Sequence, residues 1–389
     1  MPTQADLISP SAAGLYVHIP FCRHKCVYCD FFSITDHGPD ALFLTALGLE
    51  AGMIPPHKSP LFDTIYIGGG TPSLLSEKQV SEIMGLLLGV VDICTDNEIT
   101  IEANPESIGR NWLKTVRQSG INRISIGIQS FNDNALAFLG RIHDVRQAVK
   151  AYAAARAAGF SNIGLDLIYG LPGQTRADLE TDLNQAVALE PDHISCYMLT
   201  VEPGTPLAQS LREKRSRLLS ESRLSDMFLT VSEVLSRHGF FHYEISNFAR
   251  TAETCSRHNL KYWRRLPYIG LGPSAHSSIL PGERHWNVKN VTEYVDRLST
   301  GRSPRLSGET LSTGQQMMES VLLGLRLAEG IKIEAFNRSF GVDFQTLFAP
   351  VLSHYQLSGM LSLSGGCCRL SPRGMLFHET IAADLVALI

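Results

Sequence analysis

No stretch of this 389-residue chain is apolar for the roughly 20 residues that a bilayer-crossing helix needs, which excludes a membrane-spanning helix. Basic residues do not outnumber acidic ones: 34 Lys and Arg stand against 38 Asp and Glu, for a net charge of −4. Proteins held on nucleic acid by phosphate contacts carry a basic stripe, and this chain has none. Its densest basic run, Arg212, Lys214, Arg215 and Arg217, is interrupted by Glu213 and reads as a solvated helix face. Eight cysteines are too few for a disulfide framework in so long a chain. Met1 to Ala13 lacks the basic and apolar regions of a signal peptide. A reduced, cytoplasmic setting is therefore expected. What remains is an ordinary globular composition, 44% hydrophobic and 19% charged, with length enough for two or three domains.

Three of the cysteines are concentrated in Phe21-Cys-Arg-His-Lys-Cys-Val-Tyr-Cys-Asp30. Cys22, Cys26 and Cys29 place three soft thiolates in eight residues, which is a metal-binding pattern. A closed zinc site takes four protein ligands, and His18 or His24 could be the fourth. Alternatively, the three thiolates hold an iron–sulfur cluster with one position left to a molecule that is not protein.

Along the chain, short apolar runs alternate with helical patterns. Strands are expected at Gly14–Pro20, Asp63–Gly69, Glu98–Asn104, Arg123–Gln129, Asn162–Tyr169 and His193–Leu199. Ser76-Glu-Lys-Gln79 has the form of a capping box opening a helix to about Leu88. Further helices are expected from Asn111 to Ser119, Val145 to Ala158 and Thr175 to Leu189. Strand–helix repetition with long crossovers implies a parallel α/β sheet, either doubly wound or an incomplete β/α barrel. The regularity then changes. Leu211 to Arg237 reads as one long amphipathic helix, Phe241–Phe248 as a strand, residues 250–290 as irregular and Gly301–Pro304 as a linker. The last part is helical with a hairpin at Leu361–Leu370, a small winged-helix-like domain without a basic recognition face. The expected division is a flexible terminus over 1–13, a barrel over 14–210, an extension over 211–300 and a helical domain over 301–389.

Ligands of parallel sheets bind at the carboxyl ends of the strands. Here those ends carry Gly68-Gly-Gly-Thr71, Glu102-Ala-Asn104, Gln129-Ser130 and Asp166, and the cysteine segment follows the first strand. Five polar features thus converge on one rim. Glycines there let a ligand approach the backbone.

The C-x3-C-x2-C spacing resembles the signature of the radical S-adenosylmethionine (SAM) family. Tyr16, residues 66–73 (Tyr-Ile-Gly-Gly-Gly-Thr-Pro-Ser), 101–106 (Ile-Glu-Ala-Asn-Pro-Glu), 127–131, 140–143, 166–173 and 201–205 are similar to its coproporphyrinogen-dehydrogenase-like branch. The resemblance spans about residues 14–380 and implies a partial (β/α)6 barrel. It also implies a [4Fe-4S] cluster on Cys22, Cys26 and Cys29, with SAM at the open iron. By position it assigns SAM contacts to Tyr16, Gly69, Gly70, Thr71, Glu102, Gln129, Arg141, Asp166 and Thr200. Arg141 would pair with the SAM carboxylate through its guanidinium fork; the alternative is a salt bridge to Asp144 or Glu102.

The branch holds an oxygen-independent coproporphyrinogen III dehydrogenase and a heme chaperone. The dehydrogenase carries a fourth cysteine two residues after the third, where this chain has Phe31. It also has a longer segment before the cluster than the roughly twenty residues here. Arg257-His-Asn-Leu-Lys-Tyr-Trp263 matches the His-Asn-x-x-Tyr-Trp motif of the chaperone. The resemblance therefore implies heme at His258, Asn259, Tyr262 and Trp263. It implies delivery to acceptor hemoproteins such as membrane respiratory enzymes, with at most peripheral membrane contact. Read from the local sequence alone, the motif is better taken as a packed aromatic corner around a hydrogen-bonded histidine. His276, His285, Cys255, Cys367 and Cys368 are competing heme ligands.

Overall fold

The computed structural model describes residues 12–36, 38–54, 61–213 and 217–389. Most of the expected flexible terminus (1–11) lies outside the described residues, as do Lys214 and Arg215 of the basic run. Ala12 and Ala13 are buried, and the first strand starts at Ala13.

Six apolar runs become β1 (Ala13–Ile19), β2 (Phe62–Gly69), β3 (Ile93–Ala103), β4 (Arg123–Gln129), β5 (Asn162–Tyr169) and β6 (His193–Met198). Each pairs in parallel with the next in chain order. Parallel pairing requires a crossover each time, and helices Ala41–Ala51, Glu77–Val90, Arg110–Gln118, Val145–Ala157 and Arg176–Ala188 supply them. The strands are apolar nearly throughout because both sheet faces are covered. The capping box at Ser76 forms: its side chain accepts from the Gln79 amide, and Gln79 accepts from the Ser76 amide.

The sheet continues beyond these six. β7 (Phe241–Glu244) and β8 (Asn247–Ala249) join antiparallel beside β6, and β9 (Tyr268–Leu271) joins parallel beside β1. The order is β7-β8-β6-β5-β4-β3-β2-β1-β9. The single strand expected over 241–248 is thus a hairpin. The Glu244 carboxylate accepts from the Ser246 amide and the Asn247 side chain, which folds the chain back. The single helix expected over Leu211–Arg237 is two, Pro206–Arg212 and Glu221–Arg237, the second starting from Ser220 in an extended conformation.

The segment expected to be irregular contains the helix Arg257–Trp263, β9, β10 (His276–Ser277) and β11 (Glu283–Asn287). β12 (Arg305–Thr310) pairs with β11, so Gly301–Pro304 is a turn leading back into one sheet and not a linker. Beyond it, helices pack around Val321, Phe336, Phe344, Phe348, Leu352 and Ile381. They carry a small sheet of β13 (Ile331–Lys332), β14 (Leu361–Ser364) and β15 (Cys367–Leu370). β14 and β15 are the expected hairpin, turned at Gly365-Gly366, where both residues have positive φ. Among the described residues no helix is long and apolar enough to cross a membrane.

Candidate functional site

β1 ends at Ile19, and the cysteine segment loops out and back. Its base is pinned by two backbone bonds, Cys22 N to Ile34 O at 2.9 Å and Ile34 N to Pro20 O at 2.7 Å. The loop carries Cys22, Cys26 and Cys29 as free, partly exposed thiols. Thr71 Oγ1 donates to Cys22 Sγ at 3.4 Å, and Arg141 Nη1 donates to Cys26 Sγ at 3.5 Å. Burial pushes the Cys29 thiol up, and the neighbouring Cys26 and Cys22 add to it. Among the described residues no three His, Cys, Asp or Glu side chains converge on a single-ion site. Nor does His18 serve as a fourth ligand. Its Nδ1 bonds the Tyr16 hydroxyl at 2.9 Å, and its Nε2 bonds the Phe32 carbonyl, also at 2.9 Å. Three thiols on one loop, each able to take its own iron, fit an iron–sulfur cluster.

The end of β2 lies flush under this loop. Gly70 N donates to Ile19 O and Thr71 N to Phe21 O, both at 2.8 Å. A Cβ on Gly70 would stand 2.7 Å from Phe21 O, and Gly69 sits at φ +115° with the His18 ring against its open side. Only glycine meets both demands. Next to them, the Glu102 carboxylate accepts from the Tyr66 hydroxyl at 2.7 Å and from Gly69 N at 3.1 Å. Burial pushes its pKa up to about 7, and the charge of Asp166 adds to the shift. Burial also raises Asp166, whose oxygens both accept from Ser125 Oγ at 3.2 Å. Gln129 ends β4 at φ 70°, a left-handed conformation uncommon for a side chain of its size.

Arg141 donates to Asn104 Oδ1 at 2.6 Å and to Gly127 O at 2.9 Å. Neither alternative salt bridge forms. Asp144 caps the next helix, and Glu102 is held by Tyr66 and Gly69. The rim therefore brings Gly69, Thr71, Glu102 and Arg141 into direct contact with the cysteine loop or with each other's partners. Tyr16 reaches it through His18, and Asp166 stands one strand away behind Ser125. Thr200 is exposed just past β6, apart from these contacts. Sequence reasoning assigned no role to Tyr66 or Ser125, weighed His18 only as a zinc ligand, and named Asn104 only as part of a polar strand end. Tyr66 and Asn104 lie within the rim motifs, and their strand-end positions were the signal.

The Arg257–Trp263 helix lies at the opposite mouth of the barrel. Its first amides, Arg257 N and His258 N, donate to the Glu98 carboxylate at 3.0 and 3.1 Å. Lys261 Nζ meets Asp63 Oδ1 at 2.6 Å in the buried interior. His258 is fully buried. Its Nδ1 bonds Thr64 Oγ1 and its Nε2 bonds the Tyr262 hydroxyl, each at 2.8 Å. Its ring stacks on Tyr66 with centroids 5.3 Å apart. Burial, followed by the charge of Lys261, holds the imidazole down to about 3. His258 thus offers no open nitrogen in this structure, and its surroundings are those of the packed aromatic corner. Asn259 is half-buried on the same helix. Trp263 lies under the Arg326 guanidinium, 4.2 Å from the ring centroid. Of the competing ligands, Cys255, Cys367 and Cys368 are buried, whereas His276 is exposed and His285 half-exposed.

Residues 16–186 match the Radical SAM superfamily and residues 311–377 the HemN C-terminal domain. The chain is 37% identical over 370 residues to the heme chaperone HemW of Bacillus subtilis (strain 168), covering 94% of this chain and 97% of the relative. It is 34% identical over 379 residues to the heme chaperone HemW of Mycobacterium tuberculosis (strain ATCC 25618 / H37Rv), covering 96% and 94%. Among solved structures, coproporphyrinogen III oxidase (HemN) from Escherichia coli, described as a radical SAM enzyme, superposes with a TM-score of 0.82 at 24% identity. That match covers 100% of this chain and 94% of the other. It fixes the fold as a parallel-stranded radical SAM sheet with a helical C-terminal region.

Proposed function

We propose a function from one premise: the chain belongs to the HemW family of the radical SAM superfamily. It is a heme chaperone, which binds heme and passes it to acceptor hemoproteins. The observation that carries this reading is the 37% identity along 94% of the chain to a relative of that name. Membership of the superfamily implies a [4Fe-4S] cluster and SAM, which together supply one-electron chemistry.

The chain's own residues then divide the work. Cys22, Cys26 and Cys29 hold the cluster on the pinned loop. Gly69 and Gly70 present backbone to the SAM amino group, next to the Glu102 carboxylate. Arg141, steadied by Asn104, turns its remaining guanidinium edge to the SAM carboxylate. Tyr16, Thr71, Gln129, Asp166 and Thr200 complete the contacts to the rest of the nucleoside. His258, Asn259, Tyr262 and Trp263 support the heme-binding region from the other mouth of the barrel.

The second reading is an oxygen-independent coproporphyrinogen III dehydrogenase. Phe31, 69% exposed beside the cluster loop, stands against it, because a cysteine is expected there in that enzyme. An anaerobic hemin titration of the reconstituted protein, followed by absorbance, separates the two. Saturable one-site binding is expected. No binding, together with SAM-dependent turnover of coproporphyrinogen III, would give the dehydrogenase reading instead.

A further inference from the structure

We propose that Asn104 is a positioning residue for the iron–sulfur cluster, which aims a hydrogen-bond donor at each of two cysteine sulfurs and so sets how readily the cluster takes an electron. The inference rests on the cluster reading above and adds to it residues outside the cysteine loop. Thr71 Oγ1 donates to Cys22 Sγ at 3.4 Å, and Arg141 Nη1 donates to Cys26 Sγ at 3.5 Å. Both donors are bonded to the one Asn104 side chain. Its Oδ1 accepts from Arg141 Nη2 at 2.6 Å, and its Nδ2 donates to Thr71 Oγ1 at 3.3 Å.

The supply of protons fixes the direction of each bond. A threonine hydroxyl has a single proton to give. Because Asn104 donates to that oxygen, the proton is left for Cys22 Sγ. Turned about, the Asn104 amide would set its own protons against those of Arg141 Nη2 at 2.6 Å, donor against donor. Arg141 Nη2 bonds both Asn104 Oδ1 and the Gly127 carbonyl, which locks the guanidinium plane and points an Nη1 proton at Cys26. The backbone of Asn104 is held in turn. Its N donates to Ser73 Oγ at 3.0 Å, and its carbonyl accepts from Ser107 Oγ at 2.9 Å.

A donor aimed at a ligating sulfur draws charge from it. The reduced cluster carries more negative charge than the oxidised one and gains more from the bond, so the reduction potential rises. Thr71 is buried, which keeps water from competing for its hydroxyl. Arg141 brings a positive charge as well as a proton, which strengthens its bond to a thiolate. The division of labour follows the fold. The loop after β1 supplies the ligands, whereas Thr71 and Asn104, just past the ends of β2 and β3, tune them.

The test is an anaerobic redox titration of the cluster-reconstituted full chain without SAM, followed by electron paramagnetic resonance, with iron content measured for each variant. Thr71→Val, Thr71→Ser, Asn104→Asp and the double variant of Asn104→Asp with Thr71→Val are compared with wild type. Thr71→Val removes the hydroxyl at nearly constant shape. The ratio of reduced to oxidised cluster at a fixed potential is expected to fall about tenfold, or 59 mV for a one-electron couple. Thr71→Ser keeps the hydroxyl and should titrate like the wild type, an outcome that a packing role would not give. In Asn104→Asp the carboxylate still accepts from Arg141 but turns the Thr71 proton towards itself, so the potential should fall here too. Adding Thr71→Val to Asn104→Asp should then lower it no further. A wild-type potential in Thr71→Val with full iron content would overturn the proposal, as would an equal drop from Thr71→Val on both backgrounds. A wild-type chain that assembles no [4Fe-4S] cluster would overturn the cluster reading and the proposal with it.

Discussion

At Glu102 two donors converge on a carboxylate that burial keeps protonated up to about pH 7. An incoming ammonium group requires the ionised form. SAM affinity is therefore expected to fall as pH drops below 7, approaching about tenfold per unit. Glu102→Gln should flatten that slope, and calorimetric titrations at a series of pH values read both effects. Glu50 behaves differently because its partners are internal: the Gly272 amide, the Asn287 amide group and the Tyr294 hydroxyl. Its pKa is also pushed up to about 7, from an ordinary 4.5, by burial. Between these values the folded protein keeps a proton that the unfolded chain has released. The contribution to stability is full below 4.5 and is lost as pH rises to about 7. Glu50→Gln has no such proton to lose. Its Tm relative to wild type should rise between acidic and neutral pH in thermal melts.

At the scale of elements, the Arg257–Trp263 helix is closed into the barrel mouth by charge. Lys261→Ala removes from Asp63 its nearer cation at 2.6 Å and leaves the buried carboxylate only Arg257 at 3.7 Å, at a cost of about 3 kcal/mol that a urea titration would register. That helix was not legible in the sequence. It has only 7 residues, and its inward face carries Arg257 and Lys261, which look solvated until Asp63 and Glu98 are brought to them by the fold. The barrel strands were legible because burial on both faces leaves uninterrupted apolar runs, and β4 and β5 begin and end at the residues expected. The β7–β8 hairpin was not, because its turn is made by the Glu244 side chain and not by a glycine or proline. The rim motifs were legible as a group, since parallel strands deliver all their carboxyl ends to one side. The inward orientation of His258 was not, because a motif gives residue types and not the direction in which a ring points.

Across the whole molecule, Arg326 is among the side chains that join the barrel to the helical C-terminal region, with the pairs Arg264–Glu329 and Arg265–Glu319. Arg326 pairs with the buried Glu244 at 3.0 Å and lies over Trp263. Arg326→Ala should destabilise the protein by about 3 kcal/mol, mostly because the buried Glu244 carboxylate keeps its Ser246 and Asn247 donors but loses its cation, and denaturant unfolding would show it. The wider layout also carries a consequence for the chemistry. A Cβ on Gly14, near the start of β1, would stand 2.9 Å from the His258 ring, and the cysteine loop leaves the other end of the strand after Ile19. At about 3.3 Å per residue, the 7 residues of β1 put the motif helix roughly 20 Å from the thiols. A radical must touch the bond it breaks, so one born at the rim cannot reach a molecule lying beyond the motif helix. The rings of Tyr66 and His258, stacked inside the barrel, fill the interior between those two ends.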